Sequence, residues 1–228
     1  MNAKSQITEL CVRAEDFKCP CIMPNDWVVI AMPVYAGRVP ALAVERLKNM
    51  EANGAKCVVV AVYGNRAYED ALVEMQDVAT DMGFKVVAAV AANAEHSICR
   101  MYGTGRPDGA DAQELDAFGK CIRNKMLKDA PFVPLNLPGN RPYKQGCTGP
   151  FPTANEDCTL CGTCAEACPT GAISLAHPRD NDNALCIGCM RCVAVCPTEA
   201  RGIGERLNLL AAHLEPLCKD RKLNELFV

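Results

Sequence analysis

Aromatic residues are scarce in this chain: they make up 5% of 228 residues, with a single Trp. Its cores must therefore be built mainly from Val, Leu, Ile and Ala. Excess positive charge is missing too. The 24 Lys and Arg against 27 Asp and Glu leave a formal charge of −3, and no basic run resembles a phosphate-binding stripe. That argues against nucleic acid as the main partner. No apolar stretch approaches bilayer length, and Met1 to Leu10 is polar, without a secretory apolar core. The expectation is a cytoplasmic protein with no membrane partner. Half of the residues are hydrophobic, which excludes a disordered chain.

Cysteine, by contrast, is abundant, with 16 residues. A small secreted protein would use so many for disulfides, but a chain of this size without a signal sequence points to metal ligation. The spacing is specific. Cys158, Cys161, Cys164 and Cys168-Pro169-Thr170 recur 28 positions later as Cys186, Cys189, Cys192 and Cys196-Pro197-Thr198 (158 to 186, 168 to 196). So strict a repeat implies two equivalent units. Both copies match C-x2-C-x2-C-x3-C-P, the run that holds 4Fe–4S clusters in bacterial two-cluster ferredoxins. Three closely spaced thiolates wrap one cluster, and the fourth comes from the other copy. The expected ligand sets are Cys158, Cys161, Cys164 and Cys196 for a first cluster, and Cys186, Cys189, Cys192 and Cys168 for a second. Zinc is the competing reading, but a four-cysteine zinc site needs neither the third cysteine nor the C-P ending. Ala172–Leu175 and Ala200–Ile203 read as small strands shielding the clusters. Between Phe151 and Ile203 there are six acids and three bases. This surface would steer basic partners or simply aid solubility.

Upstream, apolar runs alternate with helical patterns. Strands are expected at Trp27–Met32, Cys57–Tyr63 and Lys85–Ala91. A helix should open at Pro40 and run to about Glu51. Another should run from Arg66 to Met82 with Asn65 as its cap, and a third to about Lys128 behind an Asp111/Glu114 capping box. Repeated βα units indicate a doubly wound parallel sheet, with ligands at the carboxyl ends of its strands. Two loops fall there. One holds Tyr35, Ala36, Gly37 and Arg38, the other Tyr63, Gly64, Asn65 and Tyr68. Their rings, donors and glycines suit a planar ligand such as a flavin; tight turns with locally packed tyrosines are the alternative.

These loops also carry a family resemblance. Pro33–Pro40 (PVYAGRVP), Tyr63–Leu72 (YGNRAYEDAL), His96-Ser97-Ile98, Gly105-Arg106-Pro107-Asp108 and both cysteine runs resemble the ferredoxin–flavodoxin fusion proteins of anaerobes, over roughly Asp26 to Cys196. The resemblance implies a flavodoxin-like domain that binds FMN at Tyr35-Ala36-Gly37-Arg38 and Tyr63-Gly64-Asn65, exchanging electrons with the clusters. His96 and Asp108 belong to the family pattern and read as loop-shaping residues. One departure is clear. No strand, Ser/Thr/Gly-rich phosphate loop and helix precede Trp27, so Ile7–Val12 is left as a second strand, and Met1 reads as internal to a longer protein.

The expected architecture is thus α/β: an N-terminally truncated, flavodoxin-like doubly wound parallel sheet (1–130), a linker (131–152), a small α+β two-cluster ferredoxin domain (153–203) and a C-terminal helix (204–228). Leu207, Leu210, Leu214 and Leu217 share a face of that helix, and Pro216 should end it early. Cys57 reads as a core residue, Cys19 and Cys21 as loop thiols, and Cys147 as a linker thiol within possible reach of a cluster. The expected function is electron transfer to redox partner proteins, more a carrier than an enzyme. A flavin-dependent reductase wired by the clusters, and a plain ferredoxin whose α/β domain only docks partners, are the alternatives.

Overall fold

The computed structural model describes residues 5–128, 131–146 and 149–228. The three apolar runs form parallel strands, β1 (Trp27–Pro33), β2 (Lys56–Tyr63) and β3 (Lys85–Asn93). Their connections are helices α1 (Ala41–Lys48) and α2 (Ala71–Asp81), followed after β3 by α3 (Gly109–Leu127). This is a mixed α/β arrangement dominated by parallel pairing. Alternate side chains of the strands supply two faces. Val59, Ala61, Val86 and Ala89 pack with Leu47 and Leu72 of α1 and α2 in one core, while Val58, Ala88 and Val90 pack with Met126, Leu115 and Phe118 of α3 in the other. Cys57 is fully buried in the first core, which pushes its thiol pKa up to about 12. It is a core residue.

Several boundaries differ from the sequence expectation. The helix expected from Arg66 begins at Ala71, because Asn65 and Glu69 adopt left-handed backbone (φ 58° and 43°) that no helix start tolerates. Asn65 is therefore not its cap. The α3 capping box is Asp108 with Asp111, one turn earlier than Asp111 with Glu114: Asp108 Oδ1 accepts from Ala110 and Asp111 N–H, and Asp111 accepts from Asp108 N–H. Ile7–Val12 forms no strand. It is irregular and bends at Leu10–Val12, with Leu10 and Cys11 against the first core. The sheet order is β1-β2-β3-β6, where the antiparallel β6 (Glu225–Phe227) comes from the C-terminus.

That C-terminal element replaces the expected 204–228 helix in part. Helix α6 (Arg206–Cys218) keeps Pro216 inside it, since only the last turn lies beyond the proline. Leu214, Leu207 and Leu210 do pack together, against Ile98, Cys99 and Tyr102, but Leu217 stays exposed. The linker is equally well anchored where described. Asp70, buried at the start of α2, accepts from Asn140 N–H (2.8 Å) and Lys144 N–H (2.6 Å). Burial pushes its carboxyl up, but these donors outweigh it and hold the pKa below the ordinary value.

Gly64, at the end of β2, is required by close approach. A Cβ there would stand 2.6 Å from His96 Cα, a backbone atom. His96 shapes that loop by accepting at Nδ1 from Ile98 and Cys99 N–H. Gly64→Ala is expected to cost about 1–3 kcal/mol, read as a lowered urea midpoint; an unchanged midpoint would mean that the 94–99 loop moves aside.

Candidate functional site

In the C-terminal third, each C-x2-C-x2-C run ends in one turn of helix, α4 (Thr163–Glu166) and α5 (Arg191–Ala194). Ahead of each turn the backbone goes left-handed twice, at Leu160 and Gly162 (φ 59° and 79°) and again at Gly188 and Met190 (66° and 59°). Gly171 and Glu199 repeat the pattern after the C-P pairs (68° and 55°). Glycine occupies only one copy of each pair. The other copy accepts a left-handed Leu, Met or Glu, at about 1–2 kcal/mol each, so the loop path is demanded by what it encloses rather than by local preference. Such alternation turns successive N–H groups to one side. A small antiparallel pair, β4 (Thr153–Ala154) with β5 (Arg201–Gly202), closes the domain. Ala172–Leu175, expected as a strand, is not one; Ala172 and Ile173 are buried in coil.

The eight repeat cysteines surround two separate cavities. The first is lined by Cys158, Cys161, Cys164 and Cys196. The second is lined by Cys168, Cys186, Cys189 and Cys192. The fourth cysteine of each copy thus lines the cavity of the other copy. Hydroxyls lie near the thiols: Thr163 Oγ1 is 3.4 Å from Cys161 Sγ, Thr170 Oγ1 3.6 Å from Cys168 Sγ, and Thr198 Oγ1 3.8 Å from Cys196 Sγ. The Thr163 contact lowers the Cys161 pKa. Burial raises Cys168 and Cys196, yet N–H donors from Thr170, Ala172 and Ile173, and from Thr198, Ala200 and Arg201, bring both below the ordinary thiol value. Thiolate is the ligating form, so these donors favour ligation. Burial raises the Cys192 thiol to about 11.

The donor set fits a cluster better than a lone ion. Among the described residues, no three His, Cys, Asp or Glu converge closely enough to hold one metal ion. Four thiolates around zinc would each sit about 2.3 Å from it; a four-iron cube keeps them further apart. Cys147 lies outside the described residues.

The flavin loops fare differently. Tyr35 to Arg38 is a tight turn closed by Tyr35 N–H to Arg38 C=O (2.8 Å) and Arg38 N–H to Tyr35 C=O (3.1 Å). Arg38 is spent on Glu74, to which Nε and Nη2 both donate at 2.6 Å. Tyr63 is buried, donates to Leu223 C=O (3.2 Å) and meets Tyr68 edge-on at 5.4 Å between ring centres. Asn65, also buried, donates to Cys218 and Asp220 C=O (2.6 and 2.9 Å) and accepts from Asn93 and Lys222. The segment after α6 therefore satisfies the very groups that were expected to bind a flavin. Ala36 and Gly37 serve the turn, and Gly64 is closed off by His96. These residues do not fit FMN as placed.

Sequence reasoning also missed contacts between the two parts. Glu9 pairs with Arg191, and Arg191 Nη1 donates to Cys11 C=O (2.9 Å). Half-buried Tyr35 is raised first by that burial and then by the nearby Cys189 and Cys11. Tyr35, in the loop expected to hold a flavin, thus lies within electrostatic reach of Cys189, a cysteine of the second cavity. No motif signalled this, because it depends on how separate segments pack.

Among the described residues no helix is long and apolar enough to cross a membrane. Neither the curated proteins nor the solved structures yield a match to this chain. Residues 157–200 match the family model of a 4Fe-4S dicluster domain, so this segment of the chain is a ferredoxin-type iron–sulfur domain.

Proposed function

We propose that the chain is a one-electron carrier whose two 4Fe–4S clusters are held by Cys158, Cys161, Cys164 and Cys196, and by Cys186, Cys189, Cys192 and Cys168. The observation that supports it is the grouping of these eight thiols, by crossed fourths, around two cavities. Clusters of this kind accept and return single electrons, at potentials set by hydrogen bonds to sulfur and by exclusion of water. The thiolates bind. The N–H groups of 170–173 and 198–201, with the threonine hydroxyls, stabilise negative charge on sulfur. Buried Pro152 and Ile173 keep water from the second cavity, and Pro178 helps to line the first. The acidic ferredoxin segment would favour basic redox partner proteins. Anaerobic reconstitution should give about eight iron and eight sulfide per chain. Zinc in place of iron, without sulfide, would overturn the reading.

In this proposal the α/β domain is the body that carries and presents the iron–sulfur domain, not a flavin enzyme. The resemblance to flavodoxin fusions would bring FMN to the two tyrosine loops, but the tail contacts of Tyr63 and Asn65 argue against it. Purified chain incubated with excess FMN and desalted should retain no stoichiometric flavin. Close to one flavin per chain would show that the tail yields to the cofactor, and would restore the relay between flavin and clusters.

A further inference from the structure

The repeat that makes the two cysteine sites equivalent breaks at one buried position. Ile173 follows Cys168 as Arg201 follows Cys196, each at the fifth place. Ile173 lines the second cavity and Arg201 the first. Both are 3% exposed. A buried guanidinium needs either a carboxylate or a full set of acceptors. Arg201 has no ion-pair partner among the described residues. Its Nη2 donates to Pro178 C=O at 3.0 Å, with Arg179 C=O at 3.4 Å, while Nε and Nη1 are buried with no partner. The charge reaches the thiols: against the burial that raises Cys164, Arg201 is the largest opposing influence.

The second cavity has its own arginine, Arg191, but in a different state. It is paired with Glu9, and its side chain is 36% exposed. Its charge is neutralised by the carboxylate and screened by water.

We propose that Arg201 makes the two clusters unequal, by donating to sulfur at the first site and holding its reduction potential above that of the second. Reduction adds one negative charge to a cluster. An unneutralised cation in a low-dielectric setting favours that added charge, and the isoleucine at the matching place does not. The first site then becomes the one where an entering electron rests, and the second the one from which it leaves most readily. Arg201 also opposes the burial-driven rise of Cys192, so a smaller shift of the same sign is expected at the second site.

This inference rests on the ligand sets proposed above, and the two can fail separately. The ligand sets are tested by iron content. The inequality is tested by EPR-monitored reductive titration of the full chain with mediator dyes. The unmutated protein should titrate in two one-electron waves. Arg201→Gln should lower the upper wave by about tenfold in the reduction equilibrium, ~59 mV for one electron, and move the lower wave less. Arg201→Lys keeps the charge and should restore most of the shift. Cys168→Ala/Cys189→Ala, which leaves only the first cluster, should titrate at the upper wave. Coincident waves in the unmutated chain would overturn the proposal, as would an unmoved upper wave in a fully assembled Arg201→Gln protein. If Arg201→Gln does not assemble its first cluster, the separation of the waves in the unmutated chain and their assignment by the double cysteine variant decide the matter.

Discussion

Replacing Cys161 and Cys196 together by alanine is expected to leave one 4Fe–4S cluster in place, whereas replacing Cys161 and Cys168 together is expected to remove both. The two double variants delete the same number of thiols and differ only in which fourth cysteine is lost. Cys161 and Cys196 line one cavity, and Cys168 lines the other. A cluster that loses one of four thiolates is exposed to solvent and to exchange, and losing a second adds little further damage at the same site. Iron should thus fall from about eight to about four per chain in the first variant and to nearly none in the second. The reverse order would mean that each copy holds its cluster with its own four cysteines, contrary to the crossed grouping.

The second large effect concerns the α/β domain. Asp111→Asn is expected to destabilise it by about 3–5 kcal/mol, because a buried arginine is left without its counter-charge. Arg106 and Asp111 are both buried, and Nε and Nη2 of Arg106 both donate to the Asp111 carboxylate. The pair sits at the hub of the tail contacts: Arg106 Nη1 donates to Lys222 C=O at 2.6 Å, and Asn224 Nδ2 donates to Asp111 Oδ1 at 3.1 Å. Its loss should therefore loosen β6 as well. The Arg106 hydrogen bonds hold the Asp111 carboxyl far below the ordinary carboxylate range. With the folded pKa below the unfolded one, the stabilisation is complete above about pH 4. It is lost as pH falls toward the folded value, so the gap between variant and unmutated chain should narrow in acid. Urea unfolding followed by far-UV circular dichroism at neutral pH measures the effect. A loss under about 1 kcal/mol, the level of an exposed pair, would mean that water reaches Arg106.

The strands and the cysteine sites were legible for different reasons. A parallel strand buried on both faces needs apolar residues throughout, as Cys57–Tyr63 and Lys85–Ala91 announce; Trp27–Met32 has the same composition, yet as an edge strand it leaves Trp27 and Val29 exposed. Each lies within its observed strand. The cysteine repeat was legible because ligand geometry is written into local spacing. Helix starts were harder. Asn65 has the residue type of a cap, but a left-handed backbone spends its side chain on the tail about 150 residues away in sequence. Glu114 offered a capping partner, yet Asp111 had already taken that role for Asp108.

The sequence by itself determined the ferredoxin-type domain, because eight thiols at two short, repeated spacings leave few ways to enclose metal. It also determined the parallel core, because burial of β2 and β3 on both faces dictates their apolar composition. Only the tertiary structure decided the fate of the tyrosine loops and of Arg201. The residues at Tyr63 and Asn65 suit a ligand in isolation, but the C-terminal segment reaches their hydrogen-bonding groups first. Arg201 reads as one more surface charge until the fold buries it beside a cysteine cavity. Long-range contacts of this kind are set by packing between segments distant in sequence, and no local pattern carries them.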